Sequence, residues 1–332
     1  MRARFPALLC ATGLAACGPA RVPAVWVLDP GAGVLATLDE ELLVLAHEEL
    51  PRARLVAVDG EALWVAEEVG TGSAARTRLL RRAHAGAEAR GLAFAGLAAL
   101  VSDGAGGLFA LDHLDGERTR LWHVEPWLTR RFLAECPGVT ALAAGHGELL
   151  CGTGAGELWR LRRDGSVLAR AEIGGPVHVL AAGPEAGSWY ALAGSVERQL
   201  SRLGPGLAPA WSVVLAGECT AFASEPGEER VWLVEGDALV RFGPGGRREL
   251  AHELPARGGP WRVFAAADGR AWLSGTGALL ALDSAGGRAW ITHAQGGFDA
   301  LGQVVSRAGA AAPPRAASSR RAPIRARARA PW

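Results

Sequence analysis

One unit recurs along this chain from about residue 24 to residue 306, and that repeat limits the fold more than any other feature of the sequence. Its marker is a short apolar strand that follows a turn and carries an aromatic or large residue. The examples are Val25-Trp26-Val27, Leu63-Trp64-Val65, Leu108-Phe109-Ala110, Leu150-Cys151, Trp189-Tyr190-Ala191, Val231-Trp232-Leu233 and Ala271-Trp272-Leu273. Taken at positions 26, 64, 109, 151, 190, 232 and 272, the spacings are 38, 45, 42, 39, 42 and 40, a mean of 41. A unit of that length is one four-stranded propeller blade. A helical repeat of the same length would place apolar residues three and four apart over long windows. Here the apolar runs are short and bounded by Gly, Pro and Asp. The expectation is an all-β chain.

One unit reads strand by strand. Val139 to Ala144 is the inner strand, Leu149 to Gly152 the second, Glu157 to Arg163 the third and Ser166 to Ile173 the outer one. The pairs Asp59-Gly60, Asp103-Gly104 and Asp268-Gly269 fall between first and second strands. Asp-Gly tolerates the positive φ angles of a tight hairpin, so these aspartates read as structural.

The ends of the repeat set the blade count. The unit at Trp26 has no inner strand before it, and Phe298 to Val304 reads as an inner strand with nothing after it. Joined, they complete a seven-bladed β-propeller of four-stranded blades. Its N- and C-terminal strands pair, which removes exposed sheet edges and fits a monomer.

The repeat pattern resembles NHL-like and virginiamycin B lyase-like propellers. In that group a Trp-bearing second strand precedes a Gly-containing turn and a third strand like Leu158 to Ser166 or Ala238 to Gly246. The resemblance spans the whole body and implies the fold more sharply than an activity. Some relatives are lyases or lactonases, and many only bind partners.

The N-terminus carries a separate signal. Arg2 and Arg4 precede a short apolar stretch, Phe5 to Leu14, too short to span a bilayer. Leu14-Ala15-Ala16-Cys17-Gly18 resembles a bacterial lipobox. The resemblance implies cleavage after residue 16 and a lipid on Cys17. Residues 17–23 become a short tether. Gly18 stands where an inner-membrane retention signal would carry Asp, so the implied location is the outer membrane, facing the periplasm or the surface.

All 35 basic residues are Arg, and seven lie in the acid-free stretch from Arg307 to Trp332. That low-complexity stretch, residues 307–332, is expected to be disordered. Residues 1–306 keep 28 Arg against 34 acids, a net of −6. An acidic body argues against nucleic acid as partner.

Chemistry is expected at the mouth of the central channel, where inner strands begin. Alignment on Leu142, Leu180, Phe222, Phe264 and Leu301 places Thr140, His178, Thr220, Arg262 and Asp299 in one ring. An imidazole, a guanidinium and a carboxylate on one rim can bind an anion or move a proton. Glu67, Glu68, Asp112 and Glu235, at the ends of second strands, read as solvated loop charges. No His or Cys spacing marks a metal site, so no metal or cofactor is expected, and Cys136, Cys151 and Cys219 read as buried small hydrophobes. Two function classes follow. The first is an anchored binding module for a protein, peptide or glycan. The alternative is a metal-assisted lyase or lactonase, which needs several carboxylates converging at the rim.

Overall fold

A computed structural model describes residues 25–306, except 30–32, 39–43, 60–61, 71–74, 84–90, 116–117, 255–260, 266–268, 276–277, 283–288 and 294–303. The signal-like segment, Cys17, Asp299 and the Arg-rich stretch 307–332 therefore lie outside the described residues. The strands run in chain order around a ring. Blade one contributes β1 (Val25–Asp29), β2 (Val34–Leu38) and β3 (Val44–Glu49); blade two β4 (Ala53–Asp59), β5 (Ala62–Val69), β6 (Arg76–Ala83) and β7 (Gly91–Phe94). Blade three holds β8 (Leu97–Ser102), β9 (Leu108–Asp115), β10 (Arg118–Val124) and β11 (Arg130–Glu135). Blade four holds β12 (Val139–Gly145), β13 (Glu148–Thr153), β14 (Glu157–Arg162) and β15 (Val167–Glu172). Blade five follows with β16 (Val177–Ala182), β17 (Trp189–Ala193), β18 (Gln199–Leu203) and β19 (Pro209–Val214). Blade six has β20 (Cys219–Ser224), β21 (Val231–Glu235), β22 (Ala238–Phe242) and β23 (Arg248–Glu253). Blade seven has β24 (Arg262–Ala265), β25 (Ala271–Gly275), β26 (Ala278–Leu282) and β27 (Ala289–His293), and β28 (Val304–Ser306) returns to blade one.

Each of the seven sheets is a four-stranded antiparallel meander, and the first reads β28-β1-β2-β3. Closure pairs Val304, Val305 and Ser306 with Val27, Trp26 and Val25. The expected closing strand over residues 298–304 thus overlaps β28 only at Val304, because residues 298–303 are not described. The strands of blade four match their expected ranges to within one residue at every end.

Burial explains why the second strands carry the strongest sequence signal. They sit between an inner and a third strand, and both faces press on neighbouring blades, so all five residues of β17, β21 and β25 are buried. A strand covered on both faces needs an unbroken apolar run rather than alternation. The cores lie between blades: Trp64 and Leu79 of blade two pack with Leu100, Leu108 and Val124 of blade three. Trp232, Val234 and Leu239 of blade six meet Trp261, Ala265 and Leu273 of blade seven in the same way.

The register moves one marker. Trp64, Tyr190 and Trp232 face Arg81, Arg202 and Arg241 on the third strands. In blade four the residue facing Arg160 is Leu150, with Cys151 facing Trp159. Leu150 is therefore the structural equivalent of those aromatics. The three described cysteines are free and buried, as expected. Burial pushes the Cys136 thiol up to about 11 and the Cys219 thiol to about 12.

Candidate functional site

Five inner strands open with the same irregularity. In blade two Ala53 pairs Glu67, yet Leu55 already pairs Ala66, leaving Arg54 as an extra residue. The same bulge isolates Ala98 in blade three, Thr140 in blade four, His178 in blade five and Thr220 in blade six. A bulge frees a residue from the ladder and re-aims its side chain, and bulges concentrate at rims and next to sites. Three of the five expected ring residues, Thr140, His178 and Thr220, therefore share one backbone position. Arg54 and Ala98 belong to that ring as well. Their signal was present in the sequence, because Val56 and Leu100 stand two residues on from them as Leu142 does from Thr140.

Arg262 does not share that position. The described pairs of blade seven begin with Arg262 to Ser274 and Val263 to Leu273. Val263 is therefore the equivalent of Leu180 and Phe222, and Arg262 takes the register of Val179 and Ala221. The alignment on Phe264 was off by one, since Phe264 pairs with the marker Trp272 as Ala181 does with Tyr190, whereas Leu180 pairs with the residue after the marker. Asp299 lies outside the described residues, five positions before β28 begins at Val304.

Thr140 and His178 are held by backbone carbonyls. The exposed Thr140 hydroxyl donates to the Val177 carbonyl at 2.6 Å, tying blade four to blade five. His178 is half-buried, and its Nε2 lies 2.8 Å from the Gly194 carbonyl. A carbonyl only accepts, so Nε2 carries the proton and the lone pair of Nδ1 is left for a ligand. Arg54 pairs with Glu68 at 3.0 Å, both exposed.

The second-strand carboxylates correct the expectation of solvated charges. Asp112 and Glu235 are buried, under the connections that enter the inner strands. Asp112 accepts from the Gly96 amide at 2.7 Å, and Glu235 accepts from the Ala216 amide at 2.6 Å while Arg248 approaches to 3.4 Å. Glu67 pairs with Arg78 at 2.9 Å. Only Glu68 fits the solvated reading. Asp112 and Glu235 satisfy part-buried amides at two blade crossings. No three His, Cys, Asp or Glu side chains come together as a metal site among the described residues.

The opposite face carries denser electrostatics. Asp103, in the turn after β8, is sealed from solvent and accepts from the amides of Ala105 (2.8 Å) and Gly107 (3.0 Å). His123 Nε2 lies 2.8 Å from its other oxygen, and Arg163 of blade four reaches it at 3.4 Å. Burial works to raise the Asp103 pKa. The His123 bond, the two amides and Arg163 outweigh it and hold the carboxyl at about 2. Glu225 takes the equivalent place in blade six, with Trp232 Nε1 at 2.6 Å and two arginines only at 3.9 Å. There burial wins and the carboxyl is raised. Arg202 adds a bridge between blades, reaching Glu185 at 3.3 Å and Glu229 of blade six at 3.4 Å.

No protein-family model matches the chain, and no curated protein sequence matches it. Solved structures match its fold. Apo AztD from Citrobacter koseri superposes with a TM-score of 0.56 at 13% identity, over 86% of this chain and 98% of that one. Virginiamycin B lyase from Staphylococcus aureus gives 0.58 at 11% identity, over 75% and 87%. Hsv2 from Kluyvelomyces marxianus gives 0.56 at 8%, over 82% and 98%. At these identities the likeness is one of fold. The chain is a seven-bladed, four-stranded β-propeller similar in architecture to virginiamycin B lyase and AztD.

Proposed function

We propose that this protein is an envelope-anchored binding propeller, held at the outer membrane by lipid on Cys17, that takes a protein, peptide or glycan ligand at the channel mouth where its inner strands begin. The observation that carries the reading is the bulge repeated at the head of five consecutive inner strands. A device that interrupts pairing at the same place in blade after blade supports a ring of re-aimed side chains. In that ring His178 Nδ1 offers an acceptor, or a second donor once protonated, and Arg54 offers a cation beside Glu68. Val196, 95% exposed in the connection between β17 and β18, adds an apolar contact on the same face. Polar groups of mixed type around one rim suit a hydrogen-bonding ligand.

The test is direct. Peptide and glycan arrays identify a ligand, and calorimetry compares the wild type with His178→Ala. Loss of at least about tenfold in affinity, the worth of one charge-assisted hydrogen bond, supports the mouth as the site. Unchanged affinity in His178→Ala and Arg54→Ala removes it. Incubation with virginiamycin B, followed by mass spectrometry, probes the lyase alternative, and a ring-opened product would favour that reading instead.

A further inference from the structure

Both ends of the described chain leave the propeller on one face. Each blade is an antiparallel meander, so its first-to-second and third-to-fourth turns lie at one end and its other connections at the opposite end. Inner strands begin at the mouth face, where the bulges are. β1 is a second strand, so it starts at the far face. β28 is an inner strand, so it ends there, and Val25 pairs with Ser306 across the ladder. The segment that carries the tether, residues 17–23, enters the described structure at Val25. The segment with seven Arg and no acids attaches at Ser306.

That face also displays the largest exposed ring among the described residues. Trp127 is 69% exposed at the tip of the turn between β10 and β11. The turn is held rigidly: the Leu128 amide donates to the Glu125 carbonyl and the Glu125 amide to that of Thr129, both at 2.9 Å, and the Thr129 hydroxyl donates to the Glu125 carboxylate at 2.7 Å. Leu128 adopts φ of 64°, a left-handed conformation disfavoured for a leucine. Phe132, 48% exposed, lies early in β11, on the same side of the blade. The remaining turn charges are mixed, with Arg247 and Glu185 both well exposed. Attraction to an anionic surface therefore comes from the arginine segment rather than from the folded turns.

We infer that this face docks on an anionic lipid bilayer and that the bulge-lined mouth is thereby turned away from the membrane. The inference rests in part on the lipid-anchor reading of Cys17. One acyl anchor close to a folded body leaves orientation open, and a second signal fixes it. Seven arginines near an anionic leaflet supply that signal, and a rigidly presented Trp settles at the headgroup level.

Two labelled variants test it. Arg247→Cys lies in the third-to-fourth turn of blade six and Val196→Cys at the mouth. The native thiols are buried and stay unlabelled. Each full-chain protein, purified from membranes and carrying an environment-sensitive fluorophore, is reconstituted on phosphatidylcholine vesicles with and without phosphatidylglycerol, and with a lipid-borne quencher. The expected result is strong quenching at position 247, little at 196, and dependence on phosphatidylglycerol. Truncation after Ser306 should weaken the position-247 quenching by about tenfold or more, and Trp127→Ala should weaken it further. Equal quenching at both positions, none at either, or quenching at 196 alone overturns the inference. Mass spectrometry of the N-terminus reports separately on the anchor. If the lipid is missing, persistent position-247 quenching still supports the face, and its loss still overturns it.

Discussion

The imidazole of His123 and the carboxylate of Asp103 meet at 2.8 Å inside blade three, and Arg163 of blade four closes on the same carboxylate. The pair is a stability element with a pH signature. Its folded-state pKa, about 2, lies below the ordinary value of 3.8. The contribution is therefore complete above pH 3.8 and lost as pH falls toward 2. The shift corresponds to roughly 2 kcal/mol. Asp103→Asn should lower the denaturant midpoint at pH 7, and the gap to wild type should close in titrations taken down through that window. A gap that stays constant with pH would show that the cluster does not work through the charge.

Glu225 should behave with the opposite sign. Its carboxyl is raised by burial, so what it adds to folding is fully present below its unfolded pKa and falls away as pH rises. Relative to wild type, Glu225→Gln is expected to gain stability in urea melts as pH rises above the ordinary glutamate value of 4.5. Gln keeps an acceptor for the Trp232 indole, whereas Glu225→Ala should be the more damaging change at every pH, since it orphans that N–H.

Blade contacts leave no room at Gly152. A Cβ there would stand 2.7 Å from the Val177 Cβ of the next blade. Gly152→Ala should cost about 1–3 kcal/mol by overpacking, read as a lower melting temperature. The double variant Gly152→Ala with Val177→Ala should recover part of it. Additive losses would mean that the two blades do not meet there.

Cys17→Ala should abolish lipid attachment and leave the precursor unprocessed. Metabolic labelling with a fatty acid and detergent partitioning read the outcome. A variant still labelled, or still cut after residue 16, would remove the lipobox reading.

The sequence by itself determined the fold. Spacing of about 41 residues, runs such as Val231-Trp232-Leu233 and complementary half-units at the two ends are properties of local pattern and chain order. Strands buried on both faces must be apolar throughout, so the second strands announce themselves. Positions that depend on pairing were less legible. The marker in blade four moved from Cys151 to Leu150, and Arg262 fell out of the ring, because which residue faces which is set by strand pairing and not by composition. Asp112 and Glu235 look like loop charges until the chain entering the inner strand of their own blade is laid over them. The cluster of Asp103, His123 and Arg163 joins residues 20 and 60 positions apart, and no local spacing encodes it. Tertiary structure decided these features because hydrogen bonds and desolvation act between atoms brought within about 3 Å. Only closure of the ring fixes which atoms those are.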